Sequence, residues 1–229
     1  MTPNLLESVP EPERTRVLDA CRTRTFRRNE VLFHEGDPGL SLYIIESGHL
    51  VVRTSTDAGD VVTLDVAGPG DVIGEMALVR ASNVRSATVA AIDDCTTWVL
   101  TRESFDALLR EHPGVQTAVT ALVAERVDKL THKLSEALFL PVDRRVARRI
   151  WQVAALWGGA ERGTRLPLTQ NDVADLVGAT RPTVNQSLKK LEARGAIELY
   201  RGGVRIADVD ELRVRAGLAR PDAGLRRPG

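Results

Sequence analysis

Residues 115–140, VQTAVTALVAERVDKLTHKLSEALFL, contain neither glycine nor proline, and Pro113-Gly114 and Pro141 bound them. A stretch of that length without a breaker predicts one long α-helix of about 25 residues. Within it Val123, Val127, Leu130, Leu134 and Ala137 recur at alternating spacings of four, three, four and three. That rhythm draws the narrow apolar seam that two helices share in a coiled coil. The same stripe could instead dock on a β-domain of its own chain. The helix is longer than one small sandwich needs to cover it, which favours pairing between two copies.

The texture differs on the two sides of this helix. On the N-terminal side, EPERTRVLDACR (residues 11–22) can be written as a short amphipathic helix, followed by β-branched runs separated by Gly and Asp. EVLFHEGD, SLYIIESGHLVVRTST, VVTLDVAGPGD, ATVAAIDD and TTWVLT each hold about one strand, and Asp57-Ala58-Gly59-Asp60 is a natural hairpin turn. Gly36, Gly48, Gly59, Gly68, Gly70 and Gly74 mark tight corners. Short strands at this spacing point to an antiparallel sandwich or barrel rather than to alternating βα units. RESFDALLREHP then returns to a helical pattern before the long helix begins.

On the C-terminal side Pro141 is the candidate hinge and domain boundary. A helix over 143–157 and the loop GGAERGT lead into LTQNDVADLVGATRPTVNQSLKKLEARGAIELYRGGVRIAD, which reads as helix, tight turn, helix and a small hairpin over Arg201-Gly202-Gly203. The tail AGLARPDAGLRRPG, rich in Pro, Gly and Arg, is expected to be disordered. The domains are therefore 1–113, 114–140, 141–217 and a tail over 218–229.

The formal charge of the 229-residue chain is zero, but it is unevenly placed. Residues 1–140 carry 14 Lys and Arg against 21 Asp and Glu, and residues 141–229 carry 17 against 10, so the two parts stand at −7 and +7. A basic C-terminal part on an acidic body fits a polyanion-binding module, although a solvated basic face gives the same count. No run approaches the roughly 18 apolar residues of a membrane span, and MTPNLLESVPEPER has no export pattern, so a cytoplasmic protein without a membrane partner is expected. Cys21 and Cys95 stand apart with no CxxC pair; both are expected to be buried thiols rather than disulfide or zinc ligands.

In the C-terminal module Thr169 is a good N-cap, with Asp172 completing a capping box, and Gly178 falls where a helix needs a left-handed residue. Thr180 caps a second helix whose Val184, Leu188 and Leu191 form a core face, with Pro182 tolerated in its first turn. The opposite face displays Arg181, Thr183, Asn185, Gln186, Lys189 and Lys190. Arg can bond the O6/N7 edge of guanine and Asn or Gln the N6/N7 edge of adenine, while Thr169, Thr180, Thr183 and Lys189 suit phosphates. A three-helix bundle with a polar surface is the alternative. The stretch LTQNDVADLVGATRPTVNQSLKKLEARGAI resembles the helix-turn-helix of the Crp/Fnr regulators, the cyclic AMP receptor protein family, and the following glycine hairpin resembles their β-wing. That likeness places Arg181 at a guanine-contacting position. Pro182 and Gln186 stand where the family often has Glu and Arg, so its half-site sequence does not carry over.

In GDVIGEMALVRASNVRSATVAA, Gly74 frees the backbone to turn, and Glu75 starts a short helix whose amides attract an anion. Arg85-Ser86 returns ten residues after Glu75. A carboxylate, a guanidinium and a hydroxyl on one turn can take a sugar hydroxyl and a phosphate together, and the planar fork of Arg engages two phosphate oxygens. A surface Glu–Arg pair on a structural turn would need no ligand. The arrangement is similar to the phosphate-binding cassette of cyclic-nucleotide domains. The resemblance implies that Glu75 holds the ribose 2′-hydroxyl, that Arg85, Ser86 and the amides of Met76 and Ala77 hold the cyclic phosphate, and that Thr131 on the long helix contacts adenine.

The likeness spans about residues 5 to 212 and implies an α+β chain: an N-terminal antiparallel β-barrel or jelly-roll cyclic-nucleotide-binding domain, a long dimerisation helix and a C-terminal winged helix-turn-helix. It also implies a homodimer that binds palindromic double-stranded DNA and works with RNA polymerase, with cyclic AMP as allosteric ligand and no other cofactor. Ligand would shift the dimer towards a state with its recognition helices about 34 Å apart. An iron–sulfur sensor needs clustered cysteines near the N-terminus, where only Cys21 stands. His34, His49, His112 and His132 are formally available to a haem, without a specific signal. The His-x-His and Glu set of a cupin enzyme is missing from the sequence, as is a nucleophile–base pair, so no catalysis is expected. Regulators that bind DNA without nucleotide or sense cyclic GMP or another effector stay open, as does a ligand-gated protein whose C-terminal module binds another protein.

Overall fold

The structure is a computed structural model, which describes residues 9–79 and 82–218; the C-terminal tail expected to be disordered lies, from residue 219, outside them. The chain divides into two compact units, Met1–Thr131 and His132–Gly229.

Among the described residues the first unit begins with helix α1 (Glu11–Asp19), and it is built on two antiparallel four-stranded sheets. One runs in the order β1-β8-β3-β6, from Arg22–Phe26, Cys95–Thr101, Ser41–Ser47 and Val72–Ile73. The other runs β2-β7-β4-β5, from Val31–Phe33, Thr88–Ala91, Leu50–Ser55 and Val61–Ala67. Successive side chains of a strand face opposite ways, and β3 uses both faces. Tyr43 and Ile45 pack with Phe26, Leu50, Ile73, Val89 and Cys95 in one core cluster. Leu42 and Ile44 pack instead with Val17, Phe105, Leu108, Val115 and Ala118, which come from helices. Burial on both faces explains why SLYII shows no polar alternation.

The run SLYIIESGHLVVRTST holds two strands rather than one. Gly48 adopts φ +80, where a side chain would strike the backbone of Asp94 and Cys95, and at this turn the chain passes from one sheet to the other. His49 is held there by Asp93, whose carboxylate accepts from the His49 backbone N–H at 2.6 Å and lies 2.7 Å from Nδ1. Of the two thiols, Cys95 is buried while Cys21 is only partly so, donating to the Val17 carbonyl at 3.2 Å; burial pushes them up to about 12 and about 11 respectively.

Helices α2 (Glu75–Val79) and α3 (Arg102–Glu111) lead to the long helix α4 (Pro113–Phe139), which begins at the proline itself rather than after it, as first-turn proline permits. Most of its seam is exposed in the single chain: Val127, Leu130 and Leu134 are 56 to 61% exposed and Ala137 is exposed, while Val123 is half-buried; Leu138 and Phe139, outside the seam, are exposed as well. Among the described residues no helix is long and apolar enough to cross a membrane.

The second unit packs α5 (Val142–Leu156), α6 (Gln170–Val177), α7 (Arg181–Ala193) and α8 (Val209–Ala216) around Val146, Ile150, Val153, Val173, Val184, Leu188, Leu191 and Leu212. A small sheet in the order β10-β11-β9 joins Ile197–Tyr200 and Gly203–Ile206 with Arg165–Leu166. Helix α8 was not expected from the sequence. Asp208 caps it by accepting from the Glu211 backbone N–H at 2.9 Å, and Gly217 closes it at φ +67.

Candidate functional site

Gly74 ends the two-residue strand β6 at φ +88, where a side chain would strike Arg85 Nη1. The backbone can therefore turn into α2 and let the guanidinium lie directly against it. Glu75 and Arg85 are both buried, each 4% exposed, yet they form no ion pair with each other. Glu75 Oε1 instead meets Arg126 Nη2 of α4 at 3.1 Å. Arg85 donates from Nη1 to the Gly74 carbonyl at 3.1 Å and from Nη2 to Ser41 Oγ at 3.3 Å, while its buried Nε has no partner. Among the described residues no carboxylate pairs with it. Burial lowers the proton affinity of its guanidinium, against the opposing pull of Tyr43, Asp37 and Glu75.

These groups line a pocket of about 70 Å³, open at its mouth, with Phe33, Val52, Ile73 and Val89 as its apolar wall. The structure brings Gly74, Glu75, Met76, Ala77, Arg85 and Ser86 together there. Thr131 is not among the lining residues; its hydroxyl donates to the Val127 carbonyl of its own helix at 2.9 Å and is exposed. Sequence reasoning missed Phe33, Ser41 and Arg126, which lie far from the Gly74–Ser86 segment. Arg102 anchors the cassette from below, donating to the Ala77 carbonyl at 2.7 Å, the Leu78 carbonyl at 3.3 Å and Asn83 Oδ1 at 2.7 Å.

In the second unit Thr169 and Asp172 form the full capping box, and Gly178 takes φ +62 between α6 and α7. Thr180 occupies the N-cap of α7, but its hydroxyl bonds Thr183 Oγ1 at 2.9 Å instead of capping the backbone. Arg181, Thr183, Gln186 and Lys189 are exposed on α7, whereas Asn185 is half-buried and its Oδ1 is enclosed without a partner. The register of α7 against α5 is fixed by Asp143, which accepts from Ser187 Oγ at 2.5 Å and from Lys190 Nζ at 2.8 Å.

A cyclic nucleotide-binding domain model matches residues 23–112, and a Crp-like helix-turn-helix domain model matches residues 144–215. The "CRP-like cAMP-activated global transcriptional regulator" of Mycobacterium tuberculosis is 31% identical over 194 residues, 83% of this chain and 86% of that protein. The chain belongs to the Crp/Fnr family of transcription regulators. Another relative of this Crp/Fnr chain, the "Cyclic AMP receptor protein" of Thermus thermophilus, is 30% identical over 203 residues, 88% of this chain and 92% of that one. Among solved structures, the c-di-GMP responsive global regulator CLP of Xanthomonas campestris has the same fold, with a TM-score of 0.73 at 24% identity, covering 87% of this chain and 100% of that one. In Crp/Fnr terms, the pocket's lining from Phe33 to Val89 lies within the cyclic-nucleotide-binding match while Arg126 falls beyond it, and α6, α7 and the β10–β11 wing lie within the helix-turn-helix match.

Proposed function

We propose that this regulator binds cyclic AMP in the Arg85 pocket and palindromic promoter DNA as a cytoplasmic homodimer, without catalysing a reaction. The observation that carries the ligand is Arg85: a buried guanidinium whose hydrogen bonds go only to neutral acceptors keeps its charge available to a phosphate. On this reading Arg85, Ser86 and the Met76 and Ala77 amides take the cyclic phosphate, Glu75 behind Gly74 takes the ribose, and Thr131 reaches the base once two long helices pair. The domains act as 1–113 for ligand, 114–140 for pairing and 141–217 for DNA. The relatives named for cyclic AMP favour it over cyclic GMP.

On the DNA side, Arg181, Asn185 and Gln186 read base edges, and Thr169, Thr180, Thr183 and Lys189 hold phosphates. Base reading by Asn185 requires its amide to turn outward from the half-buried position. Bound to a promoter, the dimer would present itself to RNA polymerase. Calorimetric titration with cyclic AMP and cyclic GMP tests the ligand. Wild-type protein binds, and Arg85→Leu weakens binding roughly 100-fold or more, the loss of two charge-assisted hydrogen bonds; unchanged affinity in that variant overturns the assignment. One observation favours a second reading, a regulator that senses another effector or none. Arg126 already neutralises Glu75, so the pocket's carboxylate is satisfied without a ribose.

A further inference from the structure

The guanidinium of Arg85 is restrained on one face by a group that none of its hydrogen bonds involves. Its Cζ lies 4.0 Å from the centroid of the Phe33 ring and 5.8 Å from that of Tyr43. The two rings are 5.7 Å apart and tilted by 37°, and Phe26 meets Tyr43 edge-on at 6.2 Å, so Phe33 is itself braced by an aromatic stack inside the β-domain. The polar restraint on Arg85 is slight by comparison: one bond of 3.1 Å, one of 3.3 Å, and an Nε with no partner. Two bonds from the terminal nitrogens leave the plane of the guanidinium free to rock. An aromatic face beneath it does not, and its negative quadrupole attracts the cation at a distance where no carboxylate is hydrogen-bonded to it.

We infer that Phe33 is a positioning residue for anion binding, its ring face holding the plane of Arg85 so that the guanidinium fork is presented to an incoming phosphate before the ligand arrives. This rests on the reading of Arg85 as the phosphate-binding group. A plane fixed in advance spares the ligand the ordering of a long side chain, so the gain appears as affinity for phosphate-bearing ligands. Leucine at position 33 fills part of the space without a face to stack on, whereas tyrosine keeps the face.

Two measurements on the full-length protein test this. In the ligand-free state, nitrogen-15 NMR of the arginine side chains reads rotation about the Arg85 Nε–Cζ bond. Wild type and Phe33→Tyr are expected to show hindered rotation with separately resolved Nη signals, and Phe33→Leu averaged ones; hindered rotation persisting in Phe33→Leu overturns the inference. Competition against a fluorescent cyclic nucleotide then compares cyclic AMP with adenosine, which lacks the phosphate. Phe33→Leu is expected to weaken cyclic AMP about tenfold more than it weakens adenosine, with Phe33→Tyr restoring the wild-type ratio. Equal losses for both ligands overturn the inference, because Phe33 would then act on the nucleoside or on the fold. Wild-type protein that binds no nucleotide would overturn the function proposed above, and the NMR measurement would still decide the role of Phe33.

Discussion

Arg85 and Glu75 are buried ions that do not neutralise each other. Glu75 has Arg126, while Arg85 has a carbonyl, a hydroxyl and a ring. Both depend on Gly74, whose φ of +88 and missing side chain leave room for Arg85 Nη1. Gly74→Ala is therefore expected to destabilise the protein by about 1–3 kcal/mol, read from denaturant unfolding, and to weaken cyclic-nucleotide binding with it. Stability equal to wild type would mean that the turn is not constrained as described. At this scale the sequence was informative where chemistry is local. Gly74, Glu75, Arg85 and Ser86 lie in one short segment, and their residue types carry the meaning. Phe33, Ser41 and Arg126 were not legible, because only sheet pairing and helix docking bring them to that segment. Asn185 was read as displayed, since helical spacing gives a direction but not the depth of a neighbouring surface.

Among the elements, the join between α5 and α7 controls what α7 presents. Lys190 first, then Ser187, hold the Asp143 carboxyl below its ordinary value of 3.8. A carboxyl depressed in the folded state adds stability above its unfolded value, and that contribution is lost as pH falls through the folded one. Asp143→Asn is thus expected to be less stable than wild type at pH 7, with the gap closing below about pH 4. The carboxyl is half exposed, at 53%, so solvent screening keeps the gap under about 1 kcal/mol. Unfolding of both proteins across that range checks it; a gap that persists in acid contradicts the ion pair.

The long helix and the α6–turn–α7 unit were the most legible elements, the first from its lack of breakers and the second from its caps. Strands β1 and β6 escaped notice. RTRTF carries one buried side chain, Phe26, and Val72–Ile73 is too short to show a period. Helix α8 was hidden by its charges, since Leu212 and Ala216 are its only buried residues.

At the scale of the molecule, the acidic part of the chain ends just after α4, most of whose apolar seam is exposed. If that seam is where two copies join, Leu134→Glu places like charges across it and is expected to leave a monomer, measured by light scattering at micromolar concentration. The same variant should lose affinity for a palindromic duplex while keeping that for a half-site. A Leu134→Glu dimer would move the interface elsewhere.

The bare seam has a further consequence on that pairing. Association of two chains obeys mass action, so the share of partnered molecules rises with how many copies a cell makes. Scarce protein would stay largely single even with ligand in excess. Its rate of synthesis would then act as a second input, multiplying the signal carried by the nucleotide rather than merely supplying its receiver.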